Sequence, residues 1–198
     1  MNRMIFLGFL NLVIVCGCAP VKPYQVTNFF LNEKAVFELY SQRVAVLPFE
    51  NLSDDSSAGP KITDEFNLQL GKLGHFDLVE RLRIEELYKE QNFNPNRIDQ
   101  ATAVKIGKML GAHGVILGNV TEYSKSKVGI SIRLVNVETG KQIWQTRDTL
   151  DGRDRRVKEL VEGFGQKMRL SKDRDFLAQI LCQLLAETFK VNKEIKGE

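Results

Sequence analysis

The sequence predicts an α/β (mixed α+β) fold: a mixed sheet, ending in a C-terminal strand meander, packed against helices. Three observations carry this expectation. Short apolar runs alternate with segments of helical spacing between residues 44 and 114. From Val128 to Val137 the hydrophobic period shortens to nearly two, the period of a half-buried strand. Of the 198 residues, 43% are hydrophobic and 27% charged, enough apolar surface for one packed domain.

The elements follow in order. Val44-Ala45-Val46-Leu47 is a buried strand that Pro48 ends. Asn51 to Pro60 is rich in turn formers and is expected to be a loop. Ile62, Phe66, Leu70 and Leu73 recur at helical spacing, and Gly74 stops that helix. Phe76 to Val79 forms a second strand. Ile84, Leu87 and Tyr88 mark a second helix, Pro95 and Asn96 break the chain, and Asp99 caps a third helix reaching about Leu110. Gly114 to Thr121 is a further buried strand. Val128, Ile130, Ile132, Leu134 and Val137 turn one face of the next strand inward. Glu138-Thr139-Gly140-Lys141 then turns the chain, and Ile143 to Leu150 completes a hairpin. Trp144 is expected as a partly buried residue of that return strand, because strands favour aromatics. Phe176, Ile180 and Leu184, with Leu177, Leu181, Leu185 and Phe189, make a broad apolar stripe that docks a C-terminal helix on the sheet.

The start of the chain is an address. Arg3 precedes an apolar segment, Ile5 to Val15, broken only by Gly8 and Asn11. A membrane span takes about 20 apolar residues, so this shorter segment fits a secretory signal. Val15-Cys16-Gly17-Cys18 resembles a bacterial lipobox. The resemblance implies cleavage between Gly17 and Cys18 and acylation of Cys18, whose chains (palmitate among them) hold the protein on a membrane. Ala19, where sorting signals place Asp, implies the outer membrane, with the protein facing the periplasm. Cys16 leaves with the signal, so Cys182 has no partner for an intramolecular disulfide. The expected organisation is a signal over 1–17, a lipidated Cys and tether over 18–41, and a periplasmic domain over 42–198. Within the tether, Phe29, Phe30, Leu31, Val36, Phe37, Leu39 and Tyr40 either pack on the domain or bind a partner.

Catalytic constellations are missing. No phosphate-binding loop, nucleophile elbow or HExxH motif occurs. His75 and His113 have no ligand partner at a useful spacing and are expected in turns. Asn51, Ser53 and Asp55 begin like a calcium loop, but Ile62 stands where that loop needs Glu. Gly107 and Gly111 form a GxxxG in a helix too short and charged for a membrane. With 28 basic and 25 acidic residues, the charge is too balanced for nucleic-acid binding. Residues 151 to 175 interleave eight bases with six acids and are expected to form a solvated face. No enzyme activity, cofactor or metal is expected.

Several segments resemble the CsgG family, the curli secretion channel lipoproteins. They are Arg43 to Asn51, Phe76 to Arg81, Ala103 to Gly118 and Ile132 to Gly140. The same motifs are shared with the amino-terminal domain of TolB, with LpoB, the activator of a peptidoglycan synthase, and with the polysaccharide-export lipoprotein PelC. The resemblance implies the fold and an envelope location and transfers no active site. It implies a lipid-anchored, non-enzymatic scaffold or accessory of an envelope assembly or export system. Such a protein has an envelope protein partner and can form a homo-oligomeric ring. The alternative is an LpoB-like activator of a peptidoglycan synthase. A curli-type pore comes third: the constriction-loop position holds only Asn51 to Pro60, and the first pore-hairpin position only the polar turn Tyr123 to Lys127. LpoB relatives also carry a longer tether than this chain.

Overall fold

A computed structural model describes residues 21–94 and 98–190. The expected chain break at Pro95 and Asn96 lies outside the described residues, as do Gly17 and Cys18. The sheet is mixed, as the sequence predicts. Its parallel part is built on β2 (Arg43–Val46), which pairs with β4 (Asp77–Leu78) on one side and β5 (Gly114–Ser124) on the other. Pro48 has no N–H to give to a ladder, and the strand breaks there. The chain resumes the same line two residues later as β3 (Glu50–Asn51), again parallel to β5. Between them Phe49 turns inward. Its N–H donates to Thr63 Oγ1 (2.9 Å). A Cβ on Gly118 would lie 2.7 Å from the Phe49 ring, so glycine is required there.

The antiparallel part is the expected meander. β5 runs into β6 (Lys127–Asn136) through the two-residue turn Lys125-Ser126, and β6 into β7 (Gln142–Asp151). The sheet then extends into residues that the sequence assigns to the tether. β1 (Phe29–Leu31) pairs antiparallel with β7, and α1 (Glu33–Phe37) follows it, burying Val36. Phe29, Phe30 and Leu31 are β-formers, and they complete the edge β1-β7-β6-β5-β2-β4.

Helices cover the two faces unequally. α2 (Ala58–Leu73) and α7 (Arg174–Glu187) lie with α1 on one face, over Val46, Ile116, Ile130, Ile132, Leu134 and Trp144. The expected loop over 51–60 is shorter than its composition suggests, because α2 begins at Ala58 and takes Pro60 into its first turn. The other face holds α3 (Arg81–Glu90) and α4 (Gln100–Leu110), packed on Ala45, Leu47, Val115, Leu117, Val135 and Val137. α4 sits close to the sheet, since a Cβ at Gly107 would come within 2.5 Å of Val115 and 2.6 Å of Val137. The charged stretch after β7 forms two short helices, α5 (Arg155–Lys158) and α6 (Phe164–Leu170), which bury Val157 and Leu170. It is therefore folded and not simply solvated.

Trp144 corrects the expectation of partial burial: it is fully buried. Its ring stacks on Phe189 with centroids 4.0 Å apart, and its indole N–H donates to Thr188 Oγ1 (2.9 Å). Phe76 meets Phe189 edge-on, and the Tyr40 hydroxyl donates to the Phe189 carbonyl (2.8 Å). This cluster fixes the end of α7 to β7, α1 and the α2–β4 turn. Phe189→Ala is expected to cost about 3–5 kcal/mol in urea unfolding and to red-shift the emission of Trp144. A loss below about 1 kcal/mol would show that the stack is not a principal contact.

Aspartates cap the N-termini of α4, α5 and α7. Asp99 accepts from the Thr102 N–H (2.7 Å) and Asp173 from the Phe176 N–H (3.0 Å). These backbone donors hold both carboxyls below the ordinary aspartate range, with Arg169 adding to the effect at Asp173. A folded pKa below the unfolded one stabilises the fold above the unfolded value, and the benefit is lost as pH falls through the folded value. The urea midpoint should therefore fall once pH drops below about 4, and Asp173→Asn, which keeps the cap without the charge, should flatten the fall. A midpoint independent of pH in that range would contradict this.

Candidate interaction surface

The sequence-predicted polar candidates have structural roles. His75 is half-buried and stacks on Tyr40 at 4.5 Å. Burial, with Lys190 adding to it, lowers its pKa. His113 is exposed in the α4–β5 turn, its backbone bonded to Arg43 and Val137. Asn51 and Asp55 build their own loop: Asn51 Oδ1 accepts from Ser53, and Asp55 Oδ1 accepts from Ser57. Gly111 is the left-handed C-cap of α4, with φ at +65°. Cys182 is buried in α7, and burial pushes its thiol pKa well up. Among the described residues no group of three His, Cys, Asp or Glu is arranged to hold a metal ion. No described helix is long and apolar enough to cross a membrane.

What remains is a surface. α3 and α4 cover only the β2 side of their face. Beyond Leu117 and Val135 the outward side chains of β5, β6 and β7 lie outside the apolar cluster that α3 and α4 form on this face among the described residues. Asn119 lies opposite Ser131, Ser131 opposite Arg147, and Arg133 opposite Gln145. Phe30 of β1 extends the Gln145 row to the sheet edge and is 53% exposed. An antiparallel sheet can keep one wet, polar face, so polarity alone is unremarkable. The charges carry more information. Arg133 and Arg147 are diagonal neighbours of like sign, which disfavours the isolated sheet. Neither takes part in an ion pair among the described residues. The Arg133 Nε is buried without a hydrogen-bond partner there. A buried donor without a partner is costly, and a carboxylate from outside would satisfy it. The surface therefore suits a flat contact with an acidic segment of another protein.

Alternation already places Ser131 and Arg133 outward. Which outward residues stay bare depends on how far α3 and α4 extend across the sheet, and no local signal encodes that.

The family model for the peptidoglycan-synthase activator LpoB matches residues 29–150. The chain belongs to the LpoB family. The match to LpoB begins on the first residue of β1 and ends one residue before the end of β7, so it contains all of the sheet but Asp151 and includes the open face. α5, α6 and α7 lie beyond it. Among solved structures, LpoB of E. coli is 17% identical and superposes with a TM-score of 0.51, over 76% of this chain and 82% of that one. The lipoprotein GNA1162 of Neisseria meningitidis is 18% identical with a TM-score of 0.51, over 72% of this chain and 96% of its own. The PelC dodecamer of Paraburkholderia phytofirmans gives 17% identity and a TM-score of 0.50, over 77% and 90%. At these identities the structures share the fold with this chain. No curated protein sequence matches it.

The expectation of CsgG-family membership is thereby corrected to LpoB. The segments that carry the likeness build the β2–β5 parallel pair, the α4–β5 turn and the β6–β7 hairpin. They belong to the shared frame, and a frame does not distinguish the families built on it.

Proposed function

We propose that this chain is an LpoB-type activator that binds a peptidoglycan synthase through the open face of β5, β6 and β7. The lipid on Cys18 holds it at the periplasmic face of the outer membrane. The family match over residues 29–150 carries this reading, and it favours the activator over the export scaffold. The activator acts by contact: a bound partner engages Arg133 and Arg147 and is held in its active arrangement. The export-scaffold reading, with a homo-oligomeric ring, has the fold shared with PelC as its support, and the dodecamer describes PelC.

The test is reconstitution. The purified chain beginning at Cys18 is added to each peptidoglycan synthase of the source organism, and glycan polymerisation and cross-linking rates are measured. One synthase is expected to accelerate severalfold. Arg133→Glu with Arg147→Glu should abolish the acceleration while the domain still unfolds in a single cooperative transition. Unchanged rates with every synthase would refute the activator reading.

A further inference from the structure

The part of the fold beyond the family match has its own surface, set by where the tether joins the domain. Tyr24 is fastened there. Its N–H donates to the Arg156 carbonyl (3.1 Å), its hydroxyl to Asp148 Oδ1 (2.6 Å), and the Arg156 guanidinium lies 5.4 Å over its ring. Cys18 precedes Tyr24 by six residues. However those residues run, their reach is at most about 20 Å. An acyl chain on Cys18 therefore keeps the end of the domain that carries Tyr24 against the lipid.

That end consists of the C-terminal end of β7, the β5–β6 turn, α5 and α6. The Gly152 N–H donates to the Ser126 carbonyl (2.8 Å), Gly152 packs on the backbone of Leu170, and Lys167 pairs with Glu159 (3.0 Å). Three of its acids are paired, Asp151 with Lys127, Asp154 with Arg156 and Glu159 with Lys167, while Glu162 is exposed and in no ion pair among the described residues. Lys22, Lys125, Arg153 and Arg155 are exposed, and none pairs with a carboxylate among the described residues. One turn apart on α6, Phe164 is 81% and Met168 37% exposed. Free bases beside an exposed aromatic are the pattern of a contact lying in a lipid interface.

We propose that this end of the domain docks on the anionic lipid surface of the membrane that anchors Cys18. Lys22, Lys125, Arg153 and Arg155 meet headgroups, and Phe164 and Met168 enter the interface. The proposal rests on the lipidation of Cys18 given above. It makes the tether a short hinge and fixes which side of the domain faces away from the membrane.

The test uses the full-length lipidated protein carrying Phe164→Trp, reconstituted in vesicles of phosphatidylethanolamine and phosphatidylglycerol with brominated acyl chains. The wild type, whose Trp144 is buried, supplies the baseline. The emission of the introduced tryptophan is expected to shift to the blue and to be largely quenched by the bromines. Arg153→Glu with Arg155→Glu should relieve the quenching while the protein still floats with the vesicles. Flotation without quenching would overturn the docking and leave the anchor standing. Failure to float would overturn both. A blue shift without bromine quenching would mean that a second copy or another protein covers Phe164, and would overturn the proposal as well.

Discussion

Trp144 and Phe189 lie face to face at the centre of the structure, and the placement of the other elements depends on that contact. Trp144 sits on β7, between β6 and β1, and Phe189 follows the last turn of α7. Burying two rings of this size removes roughly 300–500 Å² from water, worth on the order of 10 kcal/mol before entropy. The indole N–H has its acceptor in Thr188, so the burial leaves no orphaned donor. With its end fixed there, α7 covers the strands that α2 leaves bare, and α5 and α6 bridge back from the far end of β7. Tyr40 and Phe76 join the same cluster, which ties the segment after β1 to the last helix.

The opposite face follows from chain order. The two helices that cover it, α3 and α4, both precede β5, and their connections hold them over β2, β4 and the first half of β5. Once the meander begins no helix is left for its outer face, because α5, α6 and α7 lie elsewhere. The open face is a consequence of topology, and Arg133 and Arg147 on it, in no ion pair among the described residues, make it the proposed site. The proposed docking end and the open face belong to one sheet, so the proposed membrane contact would orient the face offered to a synthase. On the proposed anchoring, a reach of only about 20 Å would require the synthase to bring its own contact domain to the membrane.

Much of the frame was legible from residues alone. The break at Pro48, the Asp99 cap, the Gly74 stop and the alternation through β6 are local signals, and each lies where expected. β1 was not, because three apolar residues in a polar segment become a strand only when β7 offers them an edge. α5 and α6 were hidden by charge: Val157 and Leu170 are single anchors in a stretch of bases and acids, too sparse to make a periodic stripe. The burial of Trp144 was missed because its cover, Phe189, comes from a helix end 45 residues away. The open face shows as alternation, and its exposure depends on helix placement.

The central claim is that the open face contacts a peptidoglycan synthase. A photo-activatable amino acid placed at Gln145, between Phe30 and Arg133, tests it in living cells. Irradiation is expected to join this chain to a peptidoglycan synthase, whereas the same probe at exposed Leu82 on α3 should not. A cross-link from Gln145 to an export component, to a second copy of the chain or to no protein would contradict the account.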